Sequence, residues 1–416
     1  MDFETRLANF AEVIVHFGLH TQPGRKVLIN APLTGTPDIP QFVRLIAEKA
    51  YDAGAPLVDV MWSDELLNLT RLRHAPEGSL TEFSKSYFDA IYENASNGDS
   101  YLRIVGQDPD LLANEDPDAV MTIQRTAMQQ MKPISHKMNN ELSGTWSIIA
   151  VPVKSWADKV LPDLPEDQRI PALWDLIFSI CRADQADPIS AWQAHSQNLT
   201  ARYQYLNEKQ YTALHYTAPG TDLTLGMPEN HRWLGGGATN KDDIFYLPNI
   251  PTEEVFCAPH REKAHGVVSS SMPLNYNGTL IENFSLTLED GKVVKVTAEK
   301  GEVVLKKMID TDEGAGHFGE VALVPHSSPI SQSGRIFYNT LFDENASCHL
   351  ALGRAYAINV AGGTKMSEEE LTAAGLNTSL VHTDFMIGSG AMNIDGTTAD
   401  GQTEPIMRNG EWAFSV

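Results

Sequence analysis

The strongest constraint on this chain is that its hydrophobic period changes part-way along. Phe3, Leu7, Phe10, Ile14 and Phe17 recur every three to four residues and draw one apolar helix face. Gln22-Pro23-Gly24 ends that helix, and residues 26–29 (KVLI) open a short buried strand. Residues 40–54 (PQFVRLIAEKAYDAG) read as a second helix closed by Gly54, and 56–62 (PLVDVMW) as a second strand. Helix and strand alternate in this way to about residue 110, the pattern of a parallel sheet covered by helices. Helical stretches at 119–139 and 173–182, with a strand at 147–153 (SIIAVPV) between them, extend the same texture.

After about residue 205 the period becomes two. Segments 212–217 (TALHYT), 222–226 (DLTLG) and 278–289 alternate between faces, and Asp290-Gly291 marks a two-residue hairpin. The expected fold class is therefore α/β. An amino-terminal α/β domain with a parallel sheet spans 1–195, and a sheet-rich α+β domain spans 196–416. A length of 416 residues suits two such domains.

Composition removes several classes of partner. Lysine and arginine total 31 against 54 aspartates and glutamates, a formal charge of −23. Nucleic acid and anionic membrane surfaces both demand the opposite sign. No run of about 18 apolar residues is present to span a bilayer, and the acidic start (Asp2, Glu4) lacks the apolar stretch of a secretory signal. Cys181, Cys257 and Cys348 are odd in number and scattered, so neither a disulfide framework nor a zinc knuckle is expected. A cytoplasmic, reducing setting fits all of this.

Some motifs fail on context. Residues 314–319 (GAGHFG) match a dinucleotide-binding pattern, but a strand at Val321–Val324 follows where a phosphate-binding helix should begin. Residues 260–265 (HREKAH) hold the letters of a zinc-protease helix in the wrong order. His16 and His20 fall at the end of a helix without nearby carboxylates, which suggests solvation or capping.

Seven of thirteen histidines lie after residue 230, several beside carboxylates. On a strand, His382 and Asp384 share one face while Val381, Thr383 and Phe385 pack behind, a pairing that suits a divalent cation. A surface ion pair is the alternative on these residues alone. Residues 344–356 read as a helix of small residues, placing His349 and Tyr356 two turns apart on one face. Glu254 and Glu320 each sit beside an apolar segment.

Together, 249–256 (NIPTEEVF), 316–323 (GHFGEVAL), 345–353 (NASCHLALG) with Tyr356, and 382–386 (HTDFM) resemble the thermophilic-type bacterial metalloaminopeptidases, the aminopeptidase T, aminopeptidase S and PepS group. The resemblance runs the length of the chain. It implies that the second domain is a catalytic, metal-binding one with a two-metal site. The implied ligands are Glu254 (with Glu253 as the adjacent alternative), Glu320, His349, His382 and Asp384, and Tyr356 lies near the metals. The cofactors implied are two divalent ions per subunit, drawn from zinc, cobalt, manganese and magnesium. The reaction implied is hydrolysis of the first residue from a peptide with a free amino terminus. Tyr356 would hold the oxyanion and Glu254 or Glu320 would move the proton. A homodimer is implied as well. The competing readings are another two-metal hydrolase, acting on amides or phosphate esters, and a non-catalytic metal-stabilised dimer.

Overall fold

The computed structural model describes residues 1–33, 38–76, 78–276 and 279–416. The chain divides into two compact units, Met1–Ala194 with Gly237–Pro251, and His195–Gly236 with Thr252–Val416.

The first unit is built on four parallel strands: β1 (Val27–Pro32), β2 (Val58–Ser63), β3 (Ser100–Val105) and β4 (Thr145–Ala150). They lie in the order β2-β1-β3-β4. Parallel neighbours need crossover connections, and helices Asp38–Asp52 and Pro117–Ser135 supply two of them. All six residues of β1 are buried, as a strand covered on both faces must be. The first helix, Phe3–Val13, starts where the Asp2 side chain accepts a hydrogen bond from the Thr5 amide at 2.8 Å. Its Phe10 stacks on Phe42 at 5.3 Å between ring centres and meets Phe178 edge-on at 6.4 Å, so the apolar stripes of three helices close one core. The inserted segment Gly237–Pro251 joins this unit along β4, where the Ile148 amide donates to Pro248 and the Ile250 amide to Ile148. His16 departs from expectation: its Nε2 lies 3.4 Å from Glu12 Oε1, one helical turn back.

The second unit packs two antiparallel sheets face to face. The larger has eight strands and carries the expected Asp290-Gly291 hairpin between Ser285–Glu289 and Lys292–Thr297. Residue 278, placed by periodicity in the preceding strand, lies outside the described residues. The smaller sheet has five strands: β5 (Leu234–Gly235), β6 (Val255–Cys257), β7 (Phe318–Leu323), β8 (His349–Gly353) and β9 (His382–Met386). Their order is β9-β8-β7-β6-β5. Val255, Cys257, Val321, Leu323, Leu350, Leu352 and Phe385 point from it into a core shared with Leu214, Tyr216, Leu225, Leu286 and Ile394 of the larger sheet. Each fully buried leucine there contributes about 1.5–3 kcal/mol. Residues 314–319 run into β7 rather than into a helix.

Candidate metal centre

Since one face of the small sheet makes the core, strand alternation sends the remaining side chains to the other. On β8 those are His349, Ala351 and Gly353; on β9, His382, Asp384 and Met386; on β6, Phe256, with Glu254 just before the strand. Strand β7 needs a correction of parity to join them. Phe318 and Glu320 are two apart and would share a face, yet Phe318 is buried in the core opposite Leu352 while Glu320 pairs with Ala351. A bulge at Gly319 makes the change. A Cβ at Gly319 would come within 2.3 Å of the Gly353 carbonyl, so the bulge requires glycine. Gly353, at φ +103°, makes the matching close approach to Val381. Glu320, Ala351 and Asp384 thus form one row across three strands, and Ala322, His349 and Met386 the next.

Five of the expected residues come together in this arrangement. His349 Nε2 lies 3.2 Å from Glu254 Oε2 and 3.7 Å from Glu320 Oε1. His382 Nε2 lies 3.6 Å from Glu320 Oε2 and 3.6 Å from Asp384 Oδ1. Two triads result, Glu254–Glu320–His349 and Glu320–His382–Asp384, each with ligand atoms within 4.8 Å of one another and with Glu320 common to both. Glu254, Glu320 and His349 are only 8%, 5% and 1% exposed.

Charge makes this cluster unstable as it stands. Burial pushes the Glu320 carboxyl above its ordinary range; a hydrogen bond from His349 works against the rise, and Asp384 adds to it. Burial would lower His349, but its hydrogen bonds to Glu254 and Glu320 outweigh that and hold it well above its usual value. Asp384 Oδ1 is buried without a hydrogen-bond partner. Each imidazole turns its Nδ1 to a carbonyl, His382 to Arg354 at 2.7 Å and His349 to Ser347 at 3.2 Å. Those contacts fix the rings so that each Nε2 faces the carboxylates of the cluster. Three carboxylates and two such imidazoles fit divalent cations of borderline to hard character.

Glu253 takes another direction. Its Oε2 lies 3.5 Å from His195 Nε2, and its amide donates to Asn345 Oδ1 at 2.7 Å. Asn345 is fully buried and also donates to Leu341, tying the Glu254 loop to the turn before β8.

Residues 344–356 are not the expected helix. Only Glu344–Ala346 forms a single 3-10 turn, and His349–Gly353 is a strand paired on both sides. Of the small residues that suggested a helix, Ala351 floors the site between Glu320 and Asp384, and Gly353 lets the strand pass close to the Val381 backbone. Tyr356 therefore reaches the cluster from a loop, held where Arg354 and Ala355 donate to Val381 and Asn377. Its ring lies 4.9 Å from that of His382 and 6.4 Å, edge-on, from that of Phe256. Burial, then Glu320 and Asp384, push its hydroxyl far above the usual phenol range.

Sequence reasoning missed Glu344. Burial, then Glu254 and Asp384, push its carboxyl well above normal, so it belongs to the same electrostatic cluster. Its only signal was an acidic residue next to an otherwise apolar segment.

Two donor triads sharing a carboxylate could hold divalent cations, the equipment of a metal-dependent hydrolase. The comparisons narrow that class: the chain belongs to the thermophilic metalloprotease family (M29), whose model matches residues 3–412. It is 47% identical over 414 residues to Aminopeptidase 2 of Geobacillus stearothermophilus, covering 100% of this chain and 99% of the relative. It is 42% identical over 412 residues to Aminopeptidase T of Thermus aquaticus, covering 99% of each. The solved structure of wild-type AmpT from Thermus thermophilus superposes with a TM-score of 0.92 at 41% identity, over 99% of this chain and 100% of that one.

Proposed function

We propose that this chain, a metal-dependent aminopeptidase by family, removes residues from the free amino end of peptides with two divalent ions in the cluster. The observation that carries this reading is the pair of triads sharing Glu320. Glu254 and His349 would hold one ion and His382 and Asp384 the other, with Glu320 common to both triads. When bound, the ions supply Lewis acidity and a water acidified towards neutral pH. Zinc, cobalt, manganese and magnesium all suit the donors.

The chain's own groups do the rest. A carboxylate of the cluster receives the substrate's α-ammonium and so measures one residue from the end. Tyr356, kept protonated by its surroundings, donates a hydrogen bond to the carbonyl oxygen as negative charge gathers there. Glu254 or Glu320 passes the proton to the leaving amine. The catalytic work falls to residues 196–416 apart from Gly237–Pro251, which belong with the amino-terminal residues in the first unit. A cytoplasmic homodimer completes the reading, on the family resemblance.

Chelation followed by elemental analysis tests it. Turnover of aminoacyl-p-nitroanilides should vanish with the metal and return with cobalt or zinc, and N-acetylated substrates should stay intact. Full activity in protein shown to be metal-free would sink the proposal. Turnover of phosphate esters in place of the anilides would move the chain to the competing hydrolase class.

A further inference from the structure

The site face of the small sheet is not uniform from edge to edge. Its charged side chains stand on β7, β8 and β9 and just before β6. Towards β5 the face turns apolar: Leu234 pairs with Phe256, and Phe256 with Ala322. Val255 and Cys257, on either side of Phe256, are fully buried in the core, so the phenyl ring serves no core packing from the opposite face. Phe256, Leu234 and Tyr356 are all only half-buried. The Phe256 ring meets Tyr356 edge-on, which joins this apolar end to the residue beside His382. An open phenylalanine and leucine beside a cluster of buried charges lose burial energy unless something apolar covers them.

Geometry names the cover. Neighbouring strands are about 4.8 Å apart, so the line of Phe256 lies one strand from Glu320. A peptide with its first carbonyl beside Glu320 and Tyr356 can lay its first side chain across that distance. We propose that Phe256 and Leu234, with the edge of Tyr356, receive the side chain of the residue being removed. The favoured substrates then begin with an aliphatic or aromatic residue. This inference rests on the aminopeptidase reading above and deepens it.

The test compares Phe256→Ala with the parent, both fully metal-loaded, on leucyl-, glycyl- and lysyl-p-nitroanilide. Loss of several buried methylene contacts should lower kcat/KM for the leucyl substrate roughly 10–100-fold. The glycyl substrate, with nothing to place there, should change less than threefold. Phe256→Leu should restore most of the leucyl rate. Calorimetry with free leucine and free glycine reads the same wall without turnover: Phe256→Ala should weaken leucine binding and leave glycine binding as it was. Equal losses on leucyl and glycyl substrates, or none on either, would overturn the assignment. So would a parent enzyme that prefers lysyl to leucyl. Should Phe256→Ala not fold, Leu234→Ala on the neighbouring strand decides, with a smaller loss in the same direction. A parent inactive on every free-amine substrate defeats the underlying aminopeptidase reading, whereas a parent active on all three without side-chain discrimination defeats the wall alone.

Discussion

Strand β1 in the first unit and strand β8 in the second are equally buried from end to end, and they are buried for opposite reasons. In β1 the run Val27-Leu28-Ile29 meets helices on both faces and gains from every atom it hides. In β8 only Leu350 and Leu352 gain in that way; His349 is buried at a cost that something else must offset. Burial by itself therefore says little about function. Burial of groups that resist it, arranged to face one another, says a great deal.

The difference can be broken most sharply at the shared carboxylate. Glu320→Gln should lower kcat/KM by at least roughly 10²–10³-fold and reduce bound metal, with circular dichroism unchanged. His382→Ala and Asp384→Ala should act in the same direction. Activity within a few-fold of the parent for any of these would reduce the cluster to a set of buried ion pairs.

Next in size is Tyr356→Phe, with an expected loss of about 10²-fold or more in kcat, little change in KM and full metal content. A packing role for the ring predicts no loss, because phenylalanine keeps ring and volume. A kcat within threefold of the parent would remove the hydroxyl from the mechanism.

Two core changes then compare the units as ordinary protein. Phe42→Ala in the first unit and Leu352→Ala in the second should each cost about 2–5 kcal/mol of stability in denaturant unfolding. Only Leu352→Ala should also weaken metal binding, because it alone lies behind the site floor. Equal effects on metal affinity would mean that the site is insensitive to the sheet carrying it.

The smallest expected effect is on pH dependence. Glu320, Glu344 and His349 all have pKa values raised in the folded, metal-free chain, so each binds its proton more tightly folded than unfolded. The stability they contribute is present below their unfolded values, near 4.5 for the two carboxyls and 6.5 for the imidazole, and is lost as pH rises through the folded ones. Asp343, which burial pushes up to about 7, acts in the same sense but lies outside the triads. The melting temperature of metal-loaded minus chelated protein should therefore widen from pH 5 to pH 8. A constant gap would contradict the charge frustration described for the cluster.

Much of this was legible in the sequence, and the failures have physical causes. The helix and strand periods marked both fold textures, because each unit has one dominant way of hiding apolar surface. His382 and Asp384 stood out locally as a pair on one strand face, whereas Glu254, Glu320 and His349 became legible as a set only through the family resemblance of four segments in order. Residues 344–356 misled because Ala351 and Gly353 are small for reasons unrelated to helices: Ala351 lies between Glu320 and Asp384, and Gly353 passes close to the Val381 backbone. Glu344 escaped notice because a carboxylate arriving from a turn carries no periodic signal. The separate paths of Glu253 and Glu254 depend on His195 and Asn345, distant contacts that no local pattern announces.

The bulge at Gly319 has one more consequence, for the phase of the strand that follows it. From that point to the end of β7, which side chains face the site is set by counting residues rather than by their identity. The glycine is the extra residue in that count, since two steps along β7, from Phe318 to Glu320, match one step on β8, from Leu352 to Ala351. Flattening the bulge while keeping all its residues would turn the rest of the strand inside out, with Glu320 in the oil. Deleting Gly319 would instead leave Phe318 in the core and Glu320 on the site face, because the remaining residues then alternate unaided. A larger side chain at Gly319, which would meet the Gly353 carbonyl, therefore threatens the phase of the strand more than loss of the residue does.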